Sequence, residues 1–581
     1  MKSLSIALAA ACCALATSDV CAASSLPQAH LQSHQHSHHH KQQQQHTSQV
    51  KHVFHVQARK SLFDHALQHA REENGVALDV WSVRAAADSA NEKDPMLDAK
   101  VYATPASMKA FQRSSNVSSV RTTSTKIQSS DDSASTTARS TGHVKIHISK
   151  YKKHAKDMTI DNLDAEDSDW TTEYEEIDRL EKARITKDRE EVAACLNRTV
   201  GFLDELKTKT MEKGDSYTKS VFFDCFRPHD QVFAFLDVLT EQNSAIMAKL
   251  SNISHTYEGR AIPAYRLSTT KSSGRTETPK KALYVQALIH AREWQAGSST
   301  FFTIAKLVDE LRKGSKHIKA VFDEFDWYFV PIVNIDGYIY SATVDRYWRT
   351  SRDLVDKNGS YVPGVDLNRN FGPDEYFNVK PELVDDETNP GAHPLSEPST
   401  AGIFRFLKDM ENLSGIVDMH TFGGDVLRPF SNHPGEAPAP FGPQLKKLGD
   451  GVAEAMSTHT KTPYNSKTGA YLYEAYGCFD DGMYLEFNYT VPAITVEVEG
   501  EDFIVPQSTI RPVGKHIYHG LLRFAQEASS YREMVDNLKT VADAAAAADE
   551  SEDAEDESEY DDGSEYDSAS GSGEGTESGS E

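Results

Sequence analysis

Apolar and polar positions along this chain change their spacing at several points, and the changes divide it into segments. From about residue 219 to 530, apolar runs of strand length alternate with stretches whose apolar residues recur at helical spacing. The predicted strands are 283–289, 327–333, 415–419 and 494–498, and the predicted helices lie near 301–314, 398–411, 442–457 and 514–536. Strands separated by helices predict an α/β domain, whose ligand site lies beyond the carboxyl ends of its strands.

The segments outside this domain have different patterns. Residues 51–128 contain strand-like and helix-like pieces and predict a small α+β unit. The polar residues 129–218 are interpreted as a linker or insertion with one charged helix near 172–211. Residues 23–50, rich in Gln, Ser and His, and the acidic residues 531–581 have too few apolar side chains to form a core. We predict that both are disordered.

Residues 1–22 have the pattern of a cleaved secretory signal, in which Lys2 precedes an apolar stretch at 4–17 and a group of small residues. A membrane anchor is the alternative, but this stretch is shorter than the roughly 18 residues that cross a bilayer, and no later run approaches that length. We therefore expect a secreted protein with no membrane partner. Removal of the signal leaves three cysteines, which allow at most one internal disulfide: Cys195, Cys225 and Cys478.

The chain has 61 Lys and Arg residues against 87 Asp and Glu residues, a formal charge of −26. Sixteen of the acids lie in residues 541–581, which contain no Lys or Arg, so residues 1–540 sum to −26 + 16 = −10. Such a body offers no extended basic surface to a phosphate backbone, so we expect no nucleic-acid partner. The histidines clustered within 34–40 leave open a weak metal-binding or storage role for that segment.

The pattern His-x-x-Glu occurs four times, and the surrounding sequence separates the copies. Only His290 and Glu293 follow an apolar strand-like run and precede a long helical pattern, the location where α/β folds place ligands. The other copies lie in helical or loop-like polar sequence and begin at His69, His255 and His433. One imidazole and one carboxylate three residues apart can bind the same zinc ion. We therefore select His290 and Glu293 as candidate ligands.

A third ligand is available 130 residues later, where His420 ends the predicted strand 415–419. Two histidines and one glutamate leave one coordination position open for water, as in catalytic rather than structural zinc sites. Taken alone, His420 also fits a buried core histidine with a hydrogen-bond partner.

Five motifs then occur in order along the chain. They are His290-Ala291-Arg292-Glu293-Trp294, Pro331-Ile332-Val333-Asn334-Ile335-Asp336-Gly337, Arg346-Tyr347-Trp348-Arg349, Gly364-Val365-Asp366-Leu367-Asn368-Arg369-Asn370 and Thr495-Val496-Glu497-Val498. Together, and with His420 between the last two, they resemble the secreted zinc metallocarboxypeptidase A/B family over about 219–530. The resemblance implies a mixed twisted sheet flanked by helices and one zinc, bound by His290, Glu293 and His420. Residues 52–128 resemble more loosely the propeptide that keeps such enzymes inactive.

The resemblance also implies catalytic roles. Glu497 matches the general base, with Glu499 as the competitor two residues further on. Arg349 matches the arginine that polarises the scissile carbonyl, and Arg346 is expected to assist in substrate binding. Asp366 matches the carboxylate that orients the first histidine ligand, although a turn-capping role fits it equally.

Further positions match the substrate-binding residues of the family. Asn368 and Arg369 match the pair that binds the C-terminal carboxylate of the substrate, which makes such enzymes exopeptidases. Tyr473 matches the tyrosine that closes over the bound terminus, with Tyr471 as the alternative. Seven residues after Tyr473, Asp480 matches the floor of the terminal side-chain pocket and predicts a preference for terminal Lys or Arg.

These observations predict a secreted, monomeric zinc carboxypeptidase made as a zymogen. Its expected partners are peptides or proteins with a free C-terminus and its own propeptide, which acts as an intramolecular inhibitor. Two alternatives stay open: a non-catalytic peptide-binding relative of the same fold, and a carboxypeptidase that prefers apolar C-terminal residues.

Overall fold

A computed structural model describes most of the chain between residues 52 and 556. The described residues are 52–72, 78–85, 94–104, 107–108, 111, 145–147, 170–212, 214–269, 280–357, 360–374, 387–458, 460 and 463–556. The predicted signal peptide, the His-rich segment and the last 25 residues of the acidic tail, 557–581, lie outside the described residues.

An eight-stranded mixed sheet forms the centre of the larger body. Its strands are β5 (Met247–His255), β6 (Ala261–Leu267), β7 (Lys281–Ala287), β8 (Phe325–Val330), β11 (Leu413–Thr421), β12 (Asp425–Arg428), β13 (Asn465–Thr468) and β14 (Ala493–Val498). The order across the sheet is β13-β12-β14-β11-β7-β8-β6-β5. The four central strands run parallel, whereas β12, β6 and β5 pair antiparallel with their inner neighbours. The predicted mixed sheet is therefore confirmed.

Helices connect the strands and cover the sheet. They are α1 (Lys60–Glu72), α2 (Trp170–Arg198), α3 (Phe202–Thr208), α4 (His229–Gln242), α5 (Trp294–Lys313), α6 (Lys316–Glu324), α7 (Ile335–Thr343), α8 (Pro398–Lys408), α9 (Phe441–Ser457), α10 (Phe479–Glu486) and α11 (Ile510–Asp556). Helix α11 continues well past the predicted end near residue 536. Its last part contains the run Ala544–Ala548, and alanine has the highest helix propensity. None of the described helices combines the length and apolar character that a membrane crossing requires.

A smaller sheet lies in the N-terminal part of the described chain. It contains β1 (His52–Arg59), β2 (Asp79–Ala85), β3 (Met96–Ala103) and β4 (Lys145–His147), in the order β2-β3-β1-β4. Its core includes Phe63 of α1, which is fully buried and makes an edge contact with Phe111. Leu472 and Tyr473 of the larger body pack against the same core. A short hairpin of β9 (Leu354–Lys357) and β10 (Ser360–Pro363) completes the described strands.

The charged helix predicted near 172–211 is two helices, α2 and α3, separated by Gly201 in a left-handed conformation with φ of 86°. A disulfide joins Cys195 of α2 to Cys225, and Cys478 is buried with a free thiol. The helix is thus attached covalently to the body that carries the large sheet.

Strand β11 positions the candidate chemistry. All nine of its residues are buried, including the polar residues Asp418 and His420. Buried ionisable groups are costly unless they are paired or bind a ligand, so this strand directs attention to its carboxyl end.

Candidate metal centre and substrate cleft

The structure brings His290, Glu293 and His420 together at the carboxyl ends of β7 and β11. The Nδ1 atom of His290 lies 2.8 Å from Glu293 Oε1 and 3.1 Å from Nδ1 of His420. The second Glu293 oxygen lies 3.1 Å from His420 Nδ1. Ligand atoms of a tetrahedral zinc with bonds of about 2 Å are separated by roughly 3.3 Å, so the three side chains fit a divalent metal ion.

Each imidazole also has a carboxylate behind it. His290 Nε2 lies 3.2 Å from Asp366 Oδ1, and His420 Nε2 lies 2.9 Å from Asp418 Oδ2. The Asp366 contact is a hydrogen bond of the kind that fixes the orientation of a histidine ligand and leaves Nδ1 free for the metal, whereas the Asp418 contact is a close charge contact without hydrogen-bond geometry. Burial opposes a charged imidazole, yet Asp418 and Glu293 raise the pKa of His420 well above its ordinary value. The anionic surroundings therefore favour a cation at this point.

Sequence reasoning missed Asp418. It lies two residues before His420, and side chains at this spacing share one face of a strand. The paired positions on neighbouring β14 are Thr495 for Asp418 and Glu497 for His420. A carboxylate on the same strand face as a predicted histidine ligand was the available signal.

Glu497 projects into the cleft beside the three candidate ligands. It lines the same cavity as His290 and Glu293, and its Oε2 atom is buried without a hydrogen-bond partner among the described residues. Burial raises the pKa of Glu497 to about 8, against the opposing effect of His420. Its competitor Glu499 lies elsewhere, with its carboxylate 3.0 Å from His516 Nδ1. The structure thus separates the two glutamates clearly.

Arg349 lines the cavity and is held by Asp366. Two nitrogens of Arg349, Nε and one terminal nitrogen, donate to Asp366 Oδ2 at 3.0 and 2.8 Å. Burial opposes ionisation of Asp366, but Arg349, Arg369 and His290 hold the pKa of its carboxyl well below the usual range. One carboxylate therefore orients both a candidate metal ligand and a cation beside it.

The residues predicted to bind the substrate carboxylate lie together in the cleft. Asn368, Arg369 and Tyr473 line the cavity, and Arg369 donates a hydrogen bond of 2.9 Å to the Tyr473 hydroxyl. The Asn368 amide oxygen accepts from the Phe479 backbone at 2.8 Å. Tyr471 instead contacts Lys467, whose ammonium lies 4.1 Å from its ring centre.

Asp480 lines the cavity at the start of α10 and is almost fully buried. Its Oδ2 atom has no hydrogen-bond partner among the described residues. Burial, together with the charge of Asp418, raises the pKa of Asp480 to about 6. The next residue, Asp481, accepts a 2.7 Å hydrogen bond from the Ser431 backbone and so has a structural contact. A buried carboxylate in a cavity wall that has no ion-pair partner among the described residues is suited to a cationic side chain.

Arg346 lies outside the cavity lining, contrary to its predicted place among the substrate-binding residues. Its guanidinium is 1% exposed and donates to the backbone carbonyls of Arg292 and Phe503 at 2.9 and 2.8 Å. It also stacks on Trp294, 3.6 Å from the ring centre. Because its donors are directed to these carbonyls and the Trp294 ring covers one face of its guanidinium, Arg346 supports residues of the cleft wall and does not line the cleft itself.

A residue of the N-terminal sheet also reaches the cleft. Val80, on β2, lines the same cavity as His290 and Tyr473. Lys60 of the same unit lies over the Tyr471 ring at 5.7 Å. The N-terminal unit therefore contributes part of the cleft wall.

The chain is similar to known proteins in this region. The family model described as zinc carboxypeptidase matches residues 232–519. A protein named inactive metallocarboxypeptidase from Arthroderma otae is 26% identical over 343 residues, covering 54% of this chain and 57% of that protein. Carboxypeptidase O from Homo sapiens is 27% identical over 312 residues, covering 52% of this chain and 78% of that protein.

Several relatives at this level of similarity carry the word inactive in their names, and the chain covers 57%, 54% and 54% of the length of three of them. Among solved structures, carboxypeptidase A from Helicoverpa armigera has a TM-score of 0.59 at 22% identity and covers 83% of this chain and 98% of its own. At this identity the likeness shows a shared fold.

Proposed function

Residues 232–519 form a domain of the zinc carboxypeptidase family, and from this premise we propose that the protein is an active enzyme that hydrolyses the C-terminal peptide bond of peptides or proteins. One observation carries the proposal. His290, Glu293 and His420 converge in a buried site, and Glu497 lines the same cavity from the strand beside His420.

A zinc ion held by the three ligands would lower the pKa of a coordinated water toward neutrality. Glu497, which lines the same cavity, would act as the general base that takes a proton from the attacking water and later gives it to the departing amine. Arg349, fixed by Asp366, presents a cation to the carbonyl oxygen as negative charge develops there.

Arg369 and Asn368 supply donors for the free carboxylate of the substrate, and a guanidinium fits a carboxylate bidentately. Only a chain end carries that carboxylate, so these residues favour removal of terminal amino acids. Asp480 supplies a negative charge at the floor of the pocket, and we propose a preference for terminal Lys or Arg over apolar residues.

A non-catalytic peptide-binding protein is the second candidate, favoured by the names of several relatives. A protein without turnover has no need of a general base. The Oε2 atom of Glu497, buried without a hydrogen-bond partner among the described residues, therefore supports the enzyme over this candidate.

We further propose that the protein is secreted, monomeric and made as a zymogen, with the N-terminal unit as its inhibitor. The Cys195–Cys225 disulfide supports an oxidising compartment. The position of Val80 in the cleft wall supports inhibition, since a substrate would compete for that space.

In the decisive experiment, the protein is activated by limited proteolysis and its zinc content is measured. It is then offered peptides that differ only in a terminal Arg, Leu or Phe. We expect one zinc per chain and release of the terminal residue, fastest for Arg. Glu497→Gln should keep zinc and lower kcat by about 10²- to 10⁴-fold, whereas Glu499→Gln should stay near the wild-type rate. Zinc-loaded protein that binds these peptides without cleaving them would establish the non-catalytic candidate instead.

A further inference from the structure

Helix α2 is attached to the larger body, which contains the eight-stranded sheet, far more closely than a linker would be. Besides the Cys195–Cys225 disulfide, its side chains contact two loops of that body. Arg184 donates 3.0 Å hydrogen bonds to the Tyr347 hydroxyl and to the Ile504 carbonyl. Arg189 also donates a hydrogen bond to the Val344 carbonyl. Both arginines therefore form hydrogen bonds to the larger body in the folded protein.

The most buried of these contacts is an ion pair between Asp188 of α2 and Arg346. Their side chains are 7% and 0% exposed, and Arg346 Nε lies 3.1 Å from Asp188 Oδ2. In the described part of the chain, no other carboxylate forms an ion pair with Arg346. Separation of α2 from the body would leave a buried cation without a counterion, which is strongly unfavourable.

Arg346 transmits this contact to the metal centre. Its donors hold the carbonyl of Arg292, which lies between the ligands His290 and Glu293, and the carbonyl of Phe503. Arg292 and Phe503 both line the substrate cavity, and the Arg292 guanidinium lies 4.4 Å from the Phe503 ring centre. The ion pair thus holds the loop that carries two ligands to the segment around Phe503.

A second group of contacts supports the same loops. Ile185 of α2 packs against a small cluster formed by Tyr347, Phe422 and Phe503. Glu181 also accepts a hydrogen bond from the Tyr347 hydroxyl. Tyr347 adjoins Arg346, so α2 contacts the support of the metal-ligand loop at more than one point.

We propose that α2 is a permanent part of the catalytic body and that Asp188, acting through Arg346, is a positioning residue for the metal-ligand loop. An activating cut that preserves the enzyme therefore lies on the N-terminal side of Glu181, and cuts at the basic residues Lys182, Arg184, Lys187 and Arg189 within α2 are excluded. The inference extends the proposed function, but it also concerns metal retention, which is measured without a substrate.

The first test compares Asp188→Asn with Glu190→Gln, an exposed acid on the same helix. Zinc-loaded full-length protein is mixed with a chelator, and zinc release is followed by a fluorescent indicator. We expect Asp188→Asn to release zinc about tenfold faster, because partners that orient a metal site affect affinity by that order. Glu190→Gln should stay within about twofold of wild type, and Asp188→Glu should recover part of the loss. Equal release rates for all variants would overturn the positioning role.

A second test leaves Asp188 and Arg346 unchanged. A protease site is engineered within residues 209–212, the chain is cut there, and the disulfide is reduced before gel filtration. Retention of α2 on the body, or loss of zinc when α2 departs, supports the proposal. A body that keeps both its zinc and its peptide hydrolysis after losing α2 overturns it. Absence of hydrolysis in wild-type protein activated by a cut on the N-terminal side of Glu181 would count against the proposed function alone, because the zinc measurements still apply.

Discussion

The chain contains the letters His-Ala-Arg-Glu twice, and the two copies have entirely different surroundings. His69 lies near the end of helix α1, half-buried, with its ring 5.9 Å from that of His65. His290 follows the buried strand β7, and its side chain is almost fully enclosed. Identical local sequence thus gives a helix end in one place and a candidate metal site in the other.

The difference lies in what distant parts of the chain add. Strand β11 brings His420 to the second copy, and Asp366 orients its histidine from a loop 76 residues away. Among the described residues, the group suited to hold a metal includes His290 and not His69. The spacing of His and Glu thus identifies a possible pair of metal ligands. A third ligand and the supporting carboxylates determine whether that pair can bind a metal ion.

The largest effect is expected from removing one histidine of each copy. His290→Ala deletes a ligand, so zinc affinity should fall by at least about 100-fold, with peptide hydrolysis lost in parallel. His69→Ala should leave both within about twofold of wild type. Metal content after dialysis against a chelator measures the difference, and a comparable zinc loss in both variants would remove the distinction between the copies.

The sequence predicted the strands that carry this site with good accuracy. The run 283–289 corresponds to Lys281–Ala287, and 494–498 corresponds to Ala493–Val498, because a buried central strand is continuously apolar. The shared location of His290 and His420 also followed, since parallel strands of an α/β sheet end at the same edge.

Other features had no sequence signal strong enough to place them. The pattern of α2 is charged nearly throughout, which does not reveal that Asp188 is buried against Arg346. Arg346 and Arg349 are three residues apart in one motif, yet only Arg349 faces the cavity. Pairing of Cys195 with Cys225 was equally undetermined, since three cysteines allow three pairs.

A second prediction asks whether a buried carboxylate can define specificity without touching the metal. Asp480→Asn should lower kcat/KM for a peptide ending in Arg by about 100-fold and leave a peptide ending in Leu largely unaffected, because a buried charge pair is lost. Glu474→Gln, at an exposed acid next to Tyr473, is the control. An equal loss for both peptides would mean that Asp480 acts structurally, as Asp481 does through Ser431.

The third prediction concerns the carboxylate behind His420. Asp418→Asn keeps the size of the side chain but removes its charge, and we expect zinc affinity to fall by about tenfold. Asp409→Asn, on the exposed surface after α8, should have no measurable effect. Competitive titration with a chromophoric chelator gives both affinities, and an unchanged Asp418→Asn value would show that His420 is oriented by packing alone.

The smallest effect tests whether burial alters a carboxyl group away from the candidate metal ligands. Glu397 is buried, and burial together with Asp353 raises the pKa of Glu397 to about 7. The folded state therefore binds more protons than the unfolded state between about pH 4.5 and 7, so the free energy of unfolding falls as pH rises through this window. We expect the contribution to be roughly 1 to 3 kcal/mol. Glu397→Gln should flatten this part of the pH profile in urea titrations, whereas Glu411→Gln, at an exposed site, should leave it unchanged. If the free energy of unfolding of the wild-type protein is constant or rises between pH 4.5 and 7, and Glu397→Gln has the same profile, the raised pKa of Glu397 is contradicted. The difference between buried and exposed acids would then hold only for the carboxylates of the cleft.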